Sequence, residues 1–465
     1  MSIEDLRNAL GDAHVLTGDD MAPWCRDWTG NYRWTPLCVV RPADRDGVAA
    51  VLRVAHQAGL AVVPVGGNTG LSGGTEAQGA VMLSLDRMNA IREIRPEARL
   101  AVVEAGVILS TLHDAAEAQD LSFPMTFGAQ GSCTLGGILA TNAGGSNVLR
   151  YGNTRDLVLG LEVVLADGRV MDLMSELHKD NTGLNLRNLM IGSEGVLGVI
   201  TAAVLKLVPK PKAYATALVG MADLDDALGL LNRLQAVTAG QVEAFEFMPR
   251  RYVEEYARLH PEARLPFEAP QEVTLLIELG ATAPRDAAPG PDGQPPIAAY
   301  LEEVLGEMLE EETLADAVVA QTESQRRAFW AMREAAAEVC TSRPAIICDV
   351  AVPLDKVVDF LGRADVRLAS MDPDAAGIVV AHLGDGNVHY SVWTEATGEA
   401  RNAIMEAVEE EALALGGSFS AEHGIGIAKR PAMARFKDPV ALEAMRGIKA
   451  AFDPKGILNP GKVIP

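Results

Sequence analysis

Three of the chain's eight histidines stand in two short segments where their chemistry can combine. His382-Leu383-Gly384-Asp385-Gly386-Asn387-Val388-His389 sets two imidazoles seven positions apart, and Ser420-Ala421-Glu422-His423-Gly424-Ile425-Gly426 follows at a distance. Residues seven apart point to opposite faces of a straight strand. A Gly-Asp-Gly turn between them reverses the chain, so both rings can converge on one ion. Glu422 completes an N₂O donor set that leaves positions open for a substrate, the pattern of a catalytic rather than a structural ion. The plainer alternative is a pair of hydrogen-bonded core histidines.

Glycine is concentrated in three further segments. The first runs Pro64-Val65-Gly66-Gly67-Asn68-Thr69-Gly70-Leu71-Ser72-Gly73-Gly74. Consecutive glycines let backbone N–H groups turn inward against a phosphate. No Lys-Ser/Thr follows and no G-x-G-x-x-G opens a helix, so neither common phosphate loop is present. The second, from Gly128 to Gly145, interleaves six glycines with Ser132, Thr134, Thr141 and Asn142. The third is Asn188 to Thr201, containing Gly192-Ser193-Glu194-Gly195-Val196-Leu197-Gly198. One such loop is an ordinary turn; three within 140 residues suit a large polar cofactor.

The elements that must position these groups fall into two textures. Leu37 to Pro42 reads as a strand, Asp46 to Gly59 as a helix stopped by glycine, and Ala61 to Val65 as a second strand, together a βαβ unit. Leu100 to Glu104 is a strand, and Val158 to Leu165 pairs through the Asp167-Gly168 turn with Val170 to Leu173. After Pro209-Lys210-Pro211 helices such as Ala298 to Thr313 and Gln325 to Val339 alternate with strands such as Val273 to Glu278 and Ile378 to Ala381. That pattern predicts an α+β domain with a largely antiparallel sheet. Ala281 to Ile297, dense in Ala, Pro and Gly, reads as an exposed loop. The expected division is 1–212, 213–419 and a segment 420–465 that returns to the cofactor.

At 465 residues, two domains are the natural expectation, and 48% hydrophobic with 22% charged residues is globular. A formal charge of −23 argues against a nucleic-acid partner. Five scattered cysteines without a C-x-x-C pair support neither a disulfide framework nor a zinc ribbon. No apolar run is long enough to span a bilayer, and Met1-Ser2-Ile3-Glu4-Asp5 is not a signal pattern, so a cytoplasmic location is the default expectation.

In order, P-x-G-G-N-T-G, G-S-C-x-x-G-G-x-x-A-T-N-A-G-G, L-G-L-E-V-V-L-A-D-G, K-D-N-T-G and G-S-E-G-x-L-G resemble the FAD-binding domain of the vanillyl-alcohol-oxidase-like superfamily. More narrowly, the chain is similar to the branch of D-2-hydroxyglutarate dehydrogenases, D-lactate dehydrogenases and glycolate oxidase flavoprotein subunits. The resemblance extends to Asp453-Pro454-Lys455-Gly456-Ile457-Leu458-Asn459-Pro460-Gly461-Lys462. It implies an α+β fold with a PCMH-type FAD-binding domain and a substrate (cap) domain built on an antiparallel sheet with flanking helices. By position, Val65, Gly66, Gly67, Asn68, Thr69, Gly70 and Leu71 would wrap the FAD pyrophosphate. Gly131, Ser132, Gly136, Gly137, Thr141, Asn142, Gly144 and Gly145 would line the ribityl and flavin region. Glu194, Gly195, Gly198 and Ile200 would hold the adenosine side, and Asn459 would close on the isoalloxazine. Members with covalent flavin usually carry a histidine in the first loop; its absence here implies non-covalent FAD.

The resemblance also implies that His382, His389 and Glu422 bind a divalent metal, commonly zinc, beside His423. Oxidising a 2-hydroxy acid removes a proton from oxygen and a hydride from carbon. The metal would lower the hydroxyl pKa, His423 would take the proton, and flavin N5 would accept the hydride. Arg333 matches the family arginine that grips substrate carboxylate, against the alternative of a solvated helix arginine. Asn387 either bonds substrate or stabilises its turn. The hydroxyglutarate enzymes typically carry a threonine and a lysine where this chain places Ala337 and Cys348, which shifts the expected substrate towards a lactate-like monocarboxylate, unless Arg343 or an unaligned residue supplies the missing charge. Expected partners are the 2-hydroxy acid itself, an electron-transfer flavoprotein or quinone, and a second copy in a homodimer. The competing readings are a glycolate-oxidase-like subunit or oxidase and, from another class, a non-catalytic flavin-binding module.

Overall fold

The protein was analysed as a computed structural model that describes residues 3–291 and 293–465; Met1 and Ser2 of the acidic N-terminus, and Asp292 of the 281–297 stretch, lie outside them. The chain divides into two units: residues 1–144, 152–209 and 422–465 form the first, and residues 145–151 with 210–421 the second.

In the first unit, β1 (Val15–Leu16), β2 (Cys38–Val40), β3 (Val62–Val65) and β4 (Val81–Ser84) form a sheet in the order β1-β2-β4-β3. β2 and β3 both run parallel to β4, and helix α1 (Arg45–Ala58) makes the crossover between them. Asp44 caps α1 by accepting the Gly47 N–H, and Gly59, at φ 67°, ends it in the left-handed region that glycine enters without a steric cost. A second, wholly antiparallel sheet takes the order β5-β6-β9-β7-β8, from β5 (Ile91–Arg95), β6 (Leu100–Glu104), β7 (Val158–Val164), β8 (Val170–Leu173) and β9 (Val199–Lys206). The βαβ unit and the β7–β8 hairpin are where the sequence pattern places them.

The second unit is one antiparallel sheet of seven strands. They are β10 (Ala213–Met221), β11 (Val242–Pro249), β12 (Val273–Ala281), β13 (Asp316–Val319), β14 (Ala345–Ala351), β15 (Ala376–His382) and β16 (Asn387–Trp393), in the order β13-β10-β12-β11-β15-β16-β14. One face is apolar: Val219, Phe245, Ile277, Cys348 and Tyr390 pack under helices α2 (Ala227–Thr238), α3 (Pro296–Glu310), α5 (Val357–Met371) and α6 (Gly398–Ala414). The opposite face carries a second apolar cluster around Tyr252, Phe329 and Met332, and beside it a row of buried polar groups. Helix α4 (Glu323–Glu334) supplies the cations to that row. Among the described residues no helix is long and apolar enough to cross a membrane.

Two expectations need correction. The helix expected over 325–339 is two helices, Glu323–Glu334 and Ala336–Cys340. Tyr252 Oη donates to the Met332 carbonyl at 2.7 Å and lies 3.4 Å from that of Arg333, taking the acceptors that the next helical turn would use. The 281–297 stretch is not all loop. Pro284–Ala287 is a helical turn begun by its proline, with Asp286 buried and accepting from Gln241 Nε2 at 3.1 Å.

Candidate active site

In the second unit, the turn 383–386 joins β15 to β16 as a hairpin, with His382 paired to Asn387 and His389 to Val380. Gly386 sits at φ 81°, and a Cβ there would lie 2.2 Å from the Val352 carbonyl oxygen, so only glycine closes the turn. The two imidazoles reach the same sheet face, their centroids 5.4 Å apart and nearly perpendicular. The Gly-Asp-Gly reversal therefore does what the spacing required of it.

Each imidazole is backed by a buried carboxylate. Glu246 on β11 lies 2.9 Å from His382 Nδ1, and Asp349 on β14 lies 3.5 Å from His389 Nδ1. Both carboxylates are 1% exposed, too dry to be ionised without partners. Burial works to raise the Glu246 pKa, but His382 and the Arg333 guanidinium outweigh it and hold the carboxyl below the ordinary range. Arg333 Nε donates to Glu246 at 2.7 Å, and its Nη2 lies 3.5 Å from both ring nitrogens of His382. Arg333 is thus a buried partner of Glu246, not a solvated helix residue. One row back, Glu278 receives Arg326, Trp330 Nε1 and Thr216 Oγ1 at 2.7–2.8 Å.

Asp349 is a hub. Its carboxylate accepts from Asn387 Nδ2 at 2.9 Å and from the Ala421 backbone N–H at 3.2 Å. Asn387 gives its other amide hydrogen to the Val350 carbonyl at 3.0 Å, so its amide ties the start of β16 to β14 and only its Oδ1 remains for a ligand. In the first unit, Glu422 and His423 stand side by side, 3.7 Å between Oε1 and Nε2.

Cys348 requires correction. Side chains alternate along β14, so Ala345, Ile347, Asp349 and Ala351 share the polar face, whereas Cys348 packs with Val350 and Phe360 on the other. The position beside the histidines is Ile347, 39% exposed and opposite Ser391. Arg343 is already engaged, 3.3 Å from Glu255 and 4.4 Å above the Trp393 ring.

The glycine segments meet backbone to backbone in the first unit. A Cβ on Gly67 would fall 2.1 Å from the Ser132 carbonyl oxygen and one on Gly66 2.2 Å from Thr134 Oγ1, so the first loop lies directly on the second. Gly136 abuts Ala105, Gly195 (φ 75°) abuts Pro64 and Gly198 abuts Val163, each closer than a side chain allows. Gly145 clusters with the second unit. The Glu194 carboxylate accepts the N–H groups of Ile425 and Gly426, both at 2.8 Å, and Asn459 Nδ2 donates to the carbonyls of Gly74 and Glu194 at 3.0 and 2.7 Å. Thr134 Oγ1 and Asn459 Oδ1 are buried without a protein partner. Two stranded polar atoms at glycine-lined backbone fit a large polar cofactor.

Residues 210–463 match the C-terminal domain of FAD linked oxidases, more than half of the chain, and residues 36–174 match an FAD binding domain. The chain belongs to the FAD-linked oxidases. This FAD-linked oxidase is 38% identical to D-2-hydroxyglutarate dehydrogenase, mitochondrial, of Bos taurus, across 97% of its own length and 81% of that protein's. It is 35% identical to D-2-hydroxyglutarate dehydrogenase of Xanthomonas citri pv. viticola, covering 96% and 92%. Among solved structures, p-cresol methylhydroxylase superposes with a TM-score of 0.76 at 17% identity, over 99% of this chain and 95% of the other. The fold is therefore PCMH-type, as the motifs implied, within the vanillyl-alcohol-oxidase-like superfamily.

Sequence reasoning missed Glu246, Asp349 and the clamping role of Glu194. Each is a lone acid in a strand or turn whose partners lie at least 38 positions away. The one available signal was an acid within an otherwise apolar strand, as in Ala244-Phe245-Glu246-Phe247-Met248.

Proposed function

We propose that this FAD-linked oxidase is a dehydrogenase that oxidises a D-2-hydroxy acid to the 2-oxo acid. The observation that carries the reading is the pair of carboxylate-backed histidines on the β15–β16 hairpin of an FAD-linked oxidase. The names of the relatives support the same substrate class.

In this reading His382, His389 and Glu422 would hold a divalent metal, most suitably Zn²⁺, which would supply a lowered pKa for the substrate hydroxyl. FAD, held non-covalently by the three glycine segments and Asn459, supplies the hydride acceptor. The chain's own residues do the rest. Glu246 takes the Nδ1 hydrogen of His382, which fixes the tautomer and leaves Nε2 as the donor atom. Arg333 keeps Glu246 ionised and turns its remaining N–H groups to the substrate carboxylate. His423 would accept the hydroxyl proton as C2 gives up its hydride, and the expected final electron acceptor is an electron-transfer flavoprotein or a quinone. Residues 1–212 form the FAD-binding part, 213–419 the substrate part, and 420–465 return His423 and Asn459 to the cofactor.

The substrate's far end faces Ile347. No lysine or arginine stands on the polar-face positions of β14 and β16, and a second carboxylate buried there unpaired would cost several kcal/mol. A monocarboxylate with a small apolar substituent, such as D-lactate, fits better than the hydroxyglutarate for which the relatives are named. The test of the chemistry is His423→Asn. The variant should retain FAD and metal yet lose flavin reduction by the substrate under anaerobic stopped flow; reduction at the wild-type rate would remove His423 from the mechanism.

A further inference from the structure

Three non-glycine residues of the first unit hold left-handed backbone and bond to the same few residues. Glu194 lies at φ 50°, Asn459 at φ 39° and Val463 at φ 61°, the last a β-branched side chain for which that region is a true outlier. Glu194 accepts the N–H groups of Ile425 and Gly426 at 2.8 Å each, Asn459 Nδ2 donates to the Glu194 carbonyl, and the Val463 N–H donates to the Gly426 carbonyl at 3.0 Å. Ser72 completes the clamp. Its hydroxyl donates to the His423 carbonyl at 3.1 Å, and its own carbonyl accepts the N–H groups of Ile427 and Ala428 at 2.9 and 3.1 Å. Gly424 and Gly426 both have positive φ, and a Cβ at Gly424 would meet the Glu194 carboxylate at 2.9 Å. Backbone strain persists only where the surroundings over-determine it, and it gathers where geometry matters to function.

We infer that Glu194 is a positioning residue for His423, which rests on the assignment of His423 as the proton acceptor. Its two oxygens bind consecutive N–H groups of the turn that begins one residue after His423. With Ser72 on the His423 carbonyl, the backbone carrying the imidazole is fixed from both sides. In the third glycine segment, this gives the glutamate a task separate from touching the cofactor. It also accounts for glycine at 424, where positive φ combines with the closeness of the carboxylate; at Gly426 positive φ combines with the Ser72 carbonyl oxygen, 2.1 Å from where a Cβ would lie.

Glu194→Gln turns one acceptor oxygen into a donor, so one of the two N–H groups loses its partner. The variant is expected to keep wild-type FAD and metal content and to melt within about 5 °C of wild type. Its limiting rate of anaerobic flavin reduction should fall roughly a hundredfold, while the substrate concentration giving half that rate changes less than about twofold. A wild-type limiting rate, or a defect confined to substrate affinity, overturns the inference. His423→Asn run in parallel separates the two readings. If it too reduces flavin normally, the proton-acceptor assignment falls and takes this one with it; if it is inert while Glu194→Gln is normal, only Glu194 is misassigned. Should Glu194→Gln fail to fold, Ser72→Ala removes the hydroxyl bond to the His423 carbonyl. It should slow the limiting rate by roughly tenfold at unchanged FAD content, and an unchanged rate overturns the proposal.

Discussion

Ile347 is where this chain departs most plainly from what a dicarboxylate would need. It presents 39% of its surface on the same face as Asp349, two residues along a strand and so about 7 Å away. Ile347→Lys would place a cation there, and a charge-assisted pair is worth about 1.5–3 kcal/mol. The ratio of kcat/KM for D-2-hydroxyglutarate over D-lactate should therefore rise roughly ten- to hundredfold. An unchanged ratio would mean that the substrate's far end does not meet β14. Glu246 makes a second prediction at this scale. Glu246→Ala frees His382 to turn and leaves Arg333 buried without its counter-charge, so affinity for Zn²⁺ should drop about 10–100-fold in a competition assay with a chelator. Equal metal affinity would make the Glu246 contact structural only.

At the scale of elements, β14, β15, β16 and α4 act together. The strands present Asp349, His382 and His389 to one face, and α4 lays Arg326, Trp330 and Arg333 at helical spacing over the acids of that face. Helix Arg250–Leu259 is fastened at its far side by Glu255, which binds Arg258, Ser342 and Arg343. The hydrogen bonds from Arg258, working against burial, with Ser342 and the Arg343 charge, pull the Glu255 carboxyl from 4.5 down to about 2. A carboxyl depressed in the folded state adds stability that is fully present above its unfolded pKa and disappears as pH falls through the folded one. The stability advantage of wild type over Glu255→Gln should hold near neutrality and shrink as pH drops from 4.5 towards about 2, read as urea midpoints. A constant difference would contradict the pairing. Elements were legible where their cause is local: the Gly59 stop of α1, the 167–168 turn, the 383–386 reversal. The break at Ala335 was not, because the Tyr252 hydroxyl that causes it comes from 80 residues away. The face of Cys348 was misjudged by one residue, and in a strand one residue exchanges the core side for the site side.

At the scale of the molecule, the glycine motifs carried the family because they answer to local demands: backbone touching backbone, and positive φ. Gly66 and Gly67 can only be glycine against Thr134 and Ser132, so the sequence displays the contact. The acids that organise the site left no such mark, since a buried glutamate and a solvated one look alike until the fold brings Arg333 or the Gly426 N–H to it. The central claim is that this FAD-linked oxidase reduces its flavin with a D-2-hydroxy acid. Anaerobic mixing of the purified yellow protein with D- and L-lactate, D- and L-malate, D- and L-2-hydroxyglutarate and glycolate tests it most directly. Rapid loss of the flavin's visible absorbance with a D-2-hydroxy acid, D-lactate foremost, and not with its L-isomer is the predicted result. Colour that persists with every D-acid, or that bleaches equally with the L-isomers, would contradict it.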